Sequence, residues 1–159
     1  MVNEVIIYTD GACSGNPGSG GYGVVLISGR HRKEISEGFR LTTNNRMELL
    51  AAIKGLEALK KPGTPVKLHT DSQYIANAIN KGWVFDWERK HYKKKKNQDL
   101  WIRFLELYRS HNVTLVWIKG HNNDTENERC DMLAVNASRQ SALSEDTGYK
   151  PENDDPRLI

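Results

Sequence analysis

Apolar positions along the 159-residue chain follow a period of two or none up to Thr42, and afterwards helical periods alternate with short strand-like runs. Val5 to Tyr8 form a short β-rich run closed by Thr9 and Asp10, an apolar block expected to be buried on both faces. The stretch GACSGNPGSGG from Gly11 to Gly21 reads as a turn-rich loop. YGVVLIS and KEISEGFRLT read as strands joined by a hairpin turn at SGRHR. From Asn45 to Leu59 the pattern turns helical, with Met47, Leu50, Ile53 and Leu56 on one face and Pro62-Gly63 as the stop. VKLHT is a further strand, after which Asp71 or Ser72 caps a helix through Asn80 that Gly82 ends. The spacing then predicts a helix near Asp99 to Ser110 and a strand VTLVWIK. Thr125 and Glu128 stand at capping-box spacing for a final helix to about Gln140. Three strands followed by alternating helices and strands imply an α/β fold, a mixed five-stranded sheet flanked by helices. The strands ending in Asp10 and Asp71 are expected to be neighbours, and open α/β sheets bind ligands at such strand ends.

Composition narrows the class. With 38% hydrophobic and 27% charged residues, the chain reads as a globular protein with one core domain over residues 1–142. Beyond Ala142 it turns polar and acidic, so residues 143–159 are expected to form a flexible tail, with Leu158 and Ile159 as docking candidates. No apolar run approaches the roughly 20 residues of a membrane span, and no basic region precedes the first apolar stretch. Two cysteines, Cys13 and Cys130, argue against a disulfide scaffold and for a cytoplasmic protein. A monomer is the default expectation. Residues 81–96 carry seven basic and two acidic side chains, a local excess larger than the +3 of the whole chain. Such asymmetry points to a polyanionic partner.

The chemistry lies in four carboxylates, Asp10, Glu48, Asp71 and Asp131, at two strand ends and near two helix starts. Oxygen donors gathered in this way suit hard Mg²⁺ or Mn²⁺ ions. Two such ions roughly 4 Å apart can clamp the attacking and leaving oxygens of a phosphodiester. Each acid alone has a plain structural reading as a turn or helix cap. Their conjunction favours metal.

The ordered strings YTDGACSGNPG, TTNNRMEL, TDSQY and KGHNNDTENERCDMLA, spanning about Val5 to Ala137, closely resemble bacterial ribonuclease HI, the type 1 ribonucleases H. The resemblance implies the ribonuclease H-like fold and endonucleolytic hydrolysis of the RNA strand of RNA/DNA hybrids, giving 5′-phosphate and 3′-hydroxyl ends. It implies two Mg²⁺ ions, with Mn²⁺ able to substitute, and removal of RNA primers and R-loops. By resemblance Asp10 bridges both ions, Glu48 and Asp71 hold the one nearer the leaving group, and Asp131 joins Asp10 at the other. His121 maps to a histidine that moves protons or releases product.

The resemblance further implies that Gly11, Cys13 and Ser14 meet RNA 2′-hydroxyls, while the amides Asn16, Asn44, Asn45 and Gln73 suit base edges and sugars. By the same resemblance Trp83 and Lys93, Lys94, Lys95 and Lys96 belong to a basic segment that grips the DNA strand. Thr43 and Asn97 match a DNA-phosphate pocket whose usual arginine is Leu41 here. Asp124-Thr125 stands where relatives commonly carry His-Pro. Two other readings remain open: a DNA-directed nuclease or recombinase of the same fold, and a non-catalytic hybrid-binding module.

Overall fold

The computed structural model describes residues 3–120 and 124–151. Ten elements follow in order: β1 (Val5–Ser14), β2 (Gly18–Ser28), β3 (His31–Thr42), α1 (Asn44–Glu57), β4 (Pro65–Thr70), α2 (Gln73–Asn80), α3 (Trp83–Arg89), α4 (Gln98–Ser110), β5 (Asn112–Trp117) and α5 (Thr125–Ser138). The expected α/β architecture is present. One five-stranded sheet runs β3-β2-β1-β4-β5, antiparallel across the first three strands and parallel from β1 through β4 to β5. Within it β1 pairs with β4 in the register Thr9↔Thr70. Asp10 and Asp71 therefore stand side by side just past the β1–β4 pairing, Asp10 still within β1 and Asp71 beyond the end of β4.

The glycine-rich stretch is not a loop. Gly11 to Ser14 continue β1 and pair with Tyr22 to Ser19 of β2, leaving only Gly15 to Pro17 as the turn. Gly15, at φ +72°, serves that turn, and the glycines within the strands serve close packing. A Cβ on Gly11 would stand 2.5 Å from the Glu48 nitrogen in α1. On the other face, Cβ atoms on Gly21, Gly23 and Gly38 would stand 2.4, 2.3 and 2.0 Å from carbonyl oxygens of Ala134, Cys130 and Ala137. Three bare positions on two strands thus form a trough in which α5 lies directly on the sheet. Alternation along β1 puts Gly11 on the α1 face and Asp10 on the α5 face, since Asp10 pairs with Gly23.

The core between sheet and helices is apolar, with Ile7, Val24, Leu49, Ile53, Leu68, Trp101 and Phe104 fully buried. Trp101 meets Trp87 and Phe104 edge-on at 5.9 and 5.7 Å, geometry that aromatic quadrupoles favour.

Two further expectations change. The cap of α5 is Asp124, whose carboxylate accepts from the Asn127 N–H at 3.0 Å, so Thr125 is the first helical residue and not a capping-box partner of Glu128. The stretch read as a flexible tail is docked over residues 143–150. Ser144 bridges Phe39 at the free edge of β3, exchanging 2.9 Å backbone bonds with Gly38 and Arg40. Asp146 accepts from Arg46 Nε at 2.7 Å and from Thr42 Oγ1 at 2.7 Å. The driving force is charge: Arg46 is only 2% exposed and needs anionic partners, which Asp99 and Asp146 supply. Leu158 and Ile159 lie outside the described residues.

The trough makes a direct prediction. Gly23→Ala is expected to lower stability by about 1–3 kcal/mol, because α5 must move off the sheet. Denaturant unfolding checks it, and an unchanged midpoint would contradict the trough.

Candidate active site

Each carboxylate owes its position to a different local cause. Asp10 and Asp71 follow the paired ends of β1 and β4, tied across the strands by Thr9 Oγ1 donating to the His69 carbonyl at 3.1 Å. Beyond Asp71, Ser72 caps α2 by accepting the Ile75 N–H at 3.2 Å, so Asp71 itself is not the cap. Glu48 comes from the start of α1, capped by Thr43, whose hydroxyl accepts the Arg46 N–H at 3.3 Å. Neither Glu48 nor Asn45 is used as a cap, and the Glu48 side chain turns inward to β1.

Asp10, Glu48 and Asp71 each offer an oxygen within 4.8 Å of the others. The Gly11 N–H donates to both Asp10 Oδ1, at 2.9 Å, and Glu48 Oε1. Asp10 and Glu48 are buried, and Asp71 is half-buried. Burial, with the charges of Asp71 and Asp131 adding to it, pushes the Asp10 carboxyl up to about 7. Burial and then the charge of Asp10 hold Glu48 well above the carboxylate range. Two desolvated acids in contact cannot both ionise cheaply, so without a cation the pair retains a proton. Asp131, half-buried on α5, stands outside the three-acid cluster but near enough for its charge to bear on Asp10. Gly23 and the α5 trough bring it there.

The loop after β5 closes over Asp71. A Cβ on Gly120 would stand 2.9 Å from Asp71 Oδ2, so only a bare backbone passes this close. His121, the next residue, lies outside the described residues. Trp117 Nε1 donates to the Asp71 carbonyl at 3.2 Å, a support that the sequence reading missed. Its only signal was a large aromatic at a strand end beside the KGH motif.

The remaining candidates sort by position. Cys13 directs its thiol at the Gly15, Gly18 and Thr42 carbonyls, and Cys130 donates to Tyr8 O at 3.2 Å. Burial pushes both thiols up, which argues against a reactive thiolate. Ser14 is exposed at the end of β1, and Asn16 accepts the Asn44 N–H at 3.1 Å. Asn44, Asn45 and Gln73 are exposed at the starts of α1 and α2. Trp83 presents an open ring with Lys81 Nζ 5.3 Å from its centre. Lys93 to Lys96 are all exposed, and Lys95 lies over Trp87. Thr43 and Asn97 line a groove of about 1260 Å³ with Lys95, Lys96 and Lys150. Leu41 also lines that groove, at the place where the resemblance expects an arginine.

A sheet in the order β3-β2-β1-β4-β5, with acids gathered where β1 and β4 diverge and at a helix start, has the ribonuclease H-like architecture. The RNase H family model matches residues 2–139, and the chain belongs to that family, as a ribonuclease H. It is 60% identical over 151 residues to Ribonuclease H of Syntrophus aciditrophicus, covering 92% of this chain and 87% of that one. It is 47% identical over 157 residues to Ribonuclease HI of Pasteurella multocida, covering 96% and 100%. Among solved structures, LC9-RNase H1, a type 1 RNase H with the type 2 active-site motif, superposes with a TM-score of 0.79 at 32% identity, covering 87% of this chain and 73% of that one. LC11-RNase H1, solved in complex with RNA/DNA hybrid, gives 0.64 at 27% identity, covering 84% and 95%.

The site predicts a pH-dependent stability. A folded pKa near 7 against an ordinary 3.8 for Asp10 means that the metal-free protein loses stability as pH rises from about 4 to 7. Asp10→Asn removes that loss and is expected to be more stable by roughly 1–4 kcal/mol at pH 8. Thermal melts in chelator should show the gap shrinking towards pH 4. A variant no more stable than wild type at pH 8 would refute the repulsion.

Proposed function

We propose that this chain is an endonuclease that hydrolyses the RNA strand of RNA/DNA hybrids, leaving 5′-phosphate and 3′-hydroxyl ends. The observation that carries it is the convergence of Asp10, Glu48 and Asp71 oxygens within 4.8 Å on a ribonuclease H sheet. That donor set is all hard oxygen, partly desolvated and short of positive charge, which fits Mg²⁺, with Mn²⁺ able to substitute. Asp10, Glu48 and Asp71 would hold one ion of a pair, and Asp131 with Asp10 the other. Bound there, the pair would supply Lewis-acid polarisation of the phosphodiester and a water of lowered pKa.

The chain's own groups supply position and selectivity. The Gly11 N–H fixes the Asp10 and Glu48 carboxylates in one orientation before substrate arrives. Trp117 holds the Asp71 backbone, and the bare backbone of Gly120 passes close to its carboxylate. His121 is assigned proton transfer or product release. Gly11, Cys13 and Ser14 on β1, with the nearby amides Asn16, Asn44, Asn45 and Gln73, would face the minor groove, where 2′-hydroxyls distinguish RNA. With Cys13's thiol already committed to carbonyls, its backbone is the part left for substrate. Trp83 and Lys93 to Lys96 would take the DNA strand. Contacts to sugar and phosphate make cleavage largely sequence-independent. RNA primers and R-loops are the expected cellular targets. A monomer working in the cytoplasm is the proposed setting; among the described residues no helix is long and apolar enough to cross a membrane, and Cys13 and Cys130 are free thiols.

The test is cleavage of labelled RNA/DNA, RNA/RNA and DNA/DNA duplexes with Mg²⁺, beside Asp10→Asn. Only the hybrid should be cut, on its RNA strand, and the substitution should reduce cutting by about 10²–10³-fold, the scale for losing charge stabilisation at a reacting centre. Hybrid bound but uncut in either metal would leave a binding module instead.

A further inference from the structure

Residues 143–150 follow the last helix and lie beyond the matched family region, yet they are built into the molecule at three points. Ser144 joins the β3 edge, and its hydroxyl donates to Glu37 at 2.8 Å. Asp146, its side chain 7% exposed, takes two bonds from Arg46 and one from Thr42. At Gly148 the strap crosses the Arg46–Asp99 ion pair at contact distance. A Cβ there would stand 1.8 Å from Asp99 Oδ2, so no larger residue fits without displacing the pair.

The crossing brings Tyr149, Lys150 and Pro151 to the 1260 Å³ groove that Thr43, Asn97, Lys95 and Lys96 also line. Two groups in the groove have hydrogens left for an anion. The Thr43 hydroxyl accepts from Arg46 N, and its own proton remains to be donated. Asn97 gives one amide hydrogen to Tyr74 and has a second. Among the described residues the acid that lines the groove is Asp99, which is paired with Arg46, so its charge is already engaged beside Lys95 and Lys150. Leu41, 46% exposed on the same groove, offers no cation.

From this we propose that the strap is part of the nucleic-acid interface, and that Lys150 contacts a backbone phosphate of the bound duplex in the groove with Thr43 and Asn97. The inference rests on the proposed hybrid substrate. The strap does two jobs through one ion pair: Asp146 anchors it, and the anchor sets where Lys150 stands.

The experiment is binding of a fluorescent RNA/DNA hybrid without divalent ions, so that nothing is cut, over a series of salt concentrations. Lys150 is exposed and makes no described hydrogen bond or ion pair, so Lys150→Gln should fold as wild type. It is expected to raise Kd about 3–10-fold and to lower the slope of log K against log salt by about 0.9, one phosphate contact. Lys60→Gln, an exposed lysine beyond the far end of α1, should leave both unchanged. A hybrid with single neutral methylphosphonate linkages then locates the contact. One linkage should weaken wild type and leave Lys150→Gln unaffected. Unchanged Kd and slope in Lys150→Gln, or equal sensitivity of both proteins at every linkage, would overturn the proposal. Failure of wild type to cut hybrid in Mg²⁺ would instead strike at the substrate assignment, so the two failures are distinguishable.

Discussion

The backbone N–H of Gly11, shared by the carboxylates of Asp10 and Glu48, is the contact on which the site depends. It exists because β1 carries no Cβ where the first turn of α1 descends on it. With any side chain at that position the helix would stand further off, and Glu48 would face water, not a neighbouring acid. Close packing is thus turned into electrostatic tension: two carboxylates are desolvated together, with Asp71 on the adjacent strand end. Folding carries that cost because apolar packing on both faces of the sheet outweighs it.

A second buried charge cluster makes the first easier to interpret. Arg46 lies two residues from Glu48 on the same helix and is as deeply buried, but two aspartates from distant parts of the chain neutralise it. Its demand is met from within, and its effect is structural: α1, the start of α4 and the strap are held together. The acids around Asp10 have no such partner among the described residues. Opposite treatment of two charge clusters on one helix separates the part of the protein that holds shape from the part open to chemistry.

Much of this was legible in the sequence, and the exceptions share a cause. Asp10 and Asp71 were readable as neighbours because each ends an apolar run, and the parallel register places them so. Glu48 and Asp131 were readable only through ordered motifs, since their convergence depends on α1 and α5 approaching from opposite faces. The glycines between Gly11 and Gly21 misled because glycine serves turns and close contacts alike, and spacing does not separate the two. Asp124 was passed over as a cap for the simple reason that Thr125 offered the same chemistry one position later. The docked strap escaped entirely: Arg46 and Asp146 are 100 positions apart, and a polar, acidic composition resembles that of a free tail.

The Ser144 bridge has a consequence for the molecule's solubility. β3 is twelve residues long and borders the sheet, so its outer backbone groups would otherwise form a ready template for a strand from another copy. Ser144 occupies the C-terminal part of that template, between Gly38 and Arg40. Further along, His31, Arg32, Lys33 and Glu34 line the strand with charge, which discourages pairing without any covering segment. Where β3 is apolar, at Phe39, the chain covers its own edge, and where β3 is charged it leaves the edge bare. The strap therefore covers part of the sheet's free edge, and proteolytic trimming behind α5 would bare backbone groups with which a strand of another chain could pair.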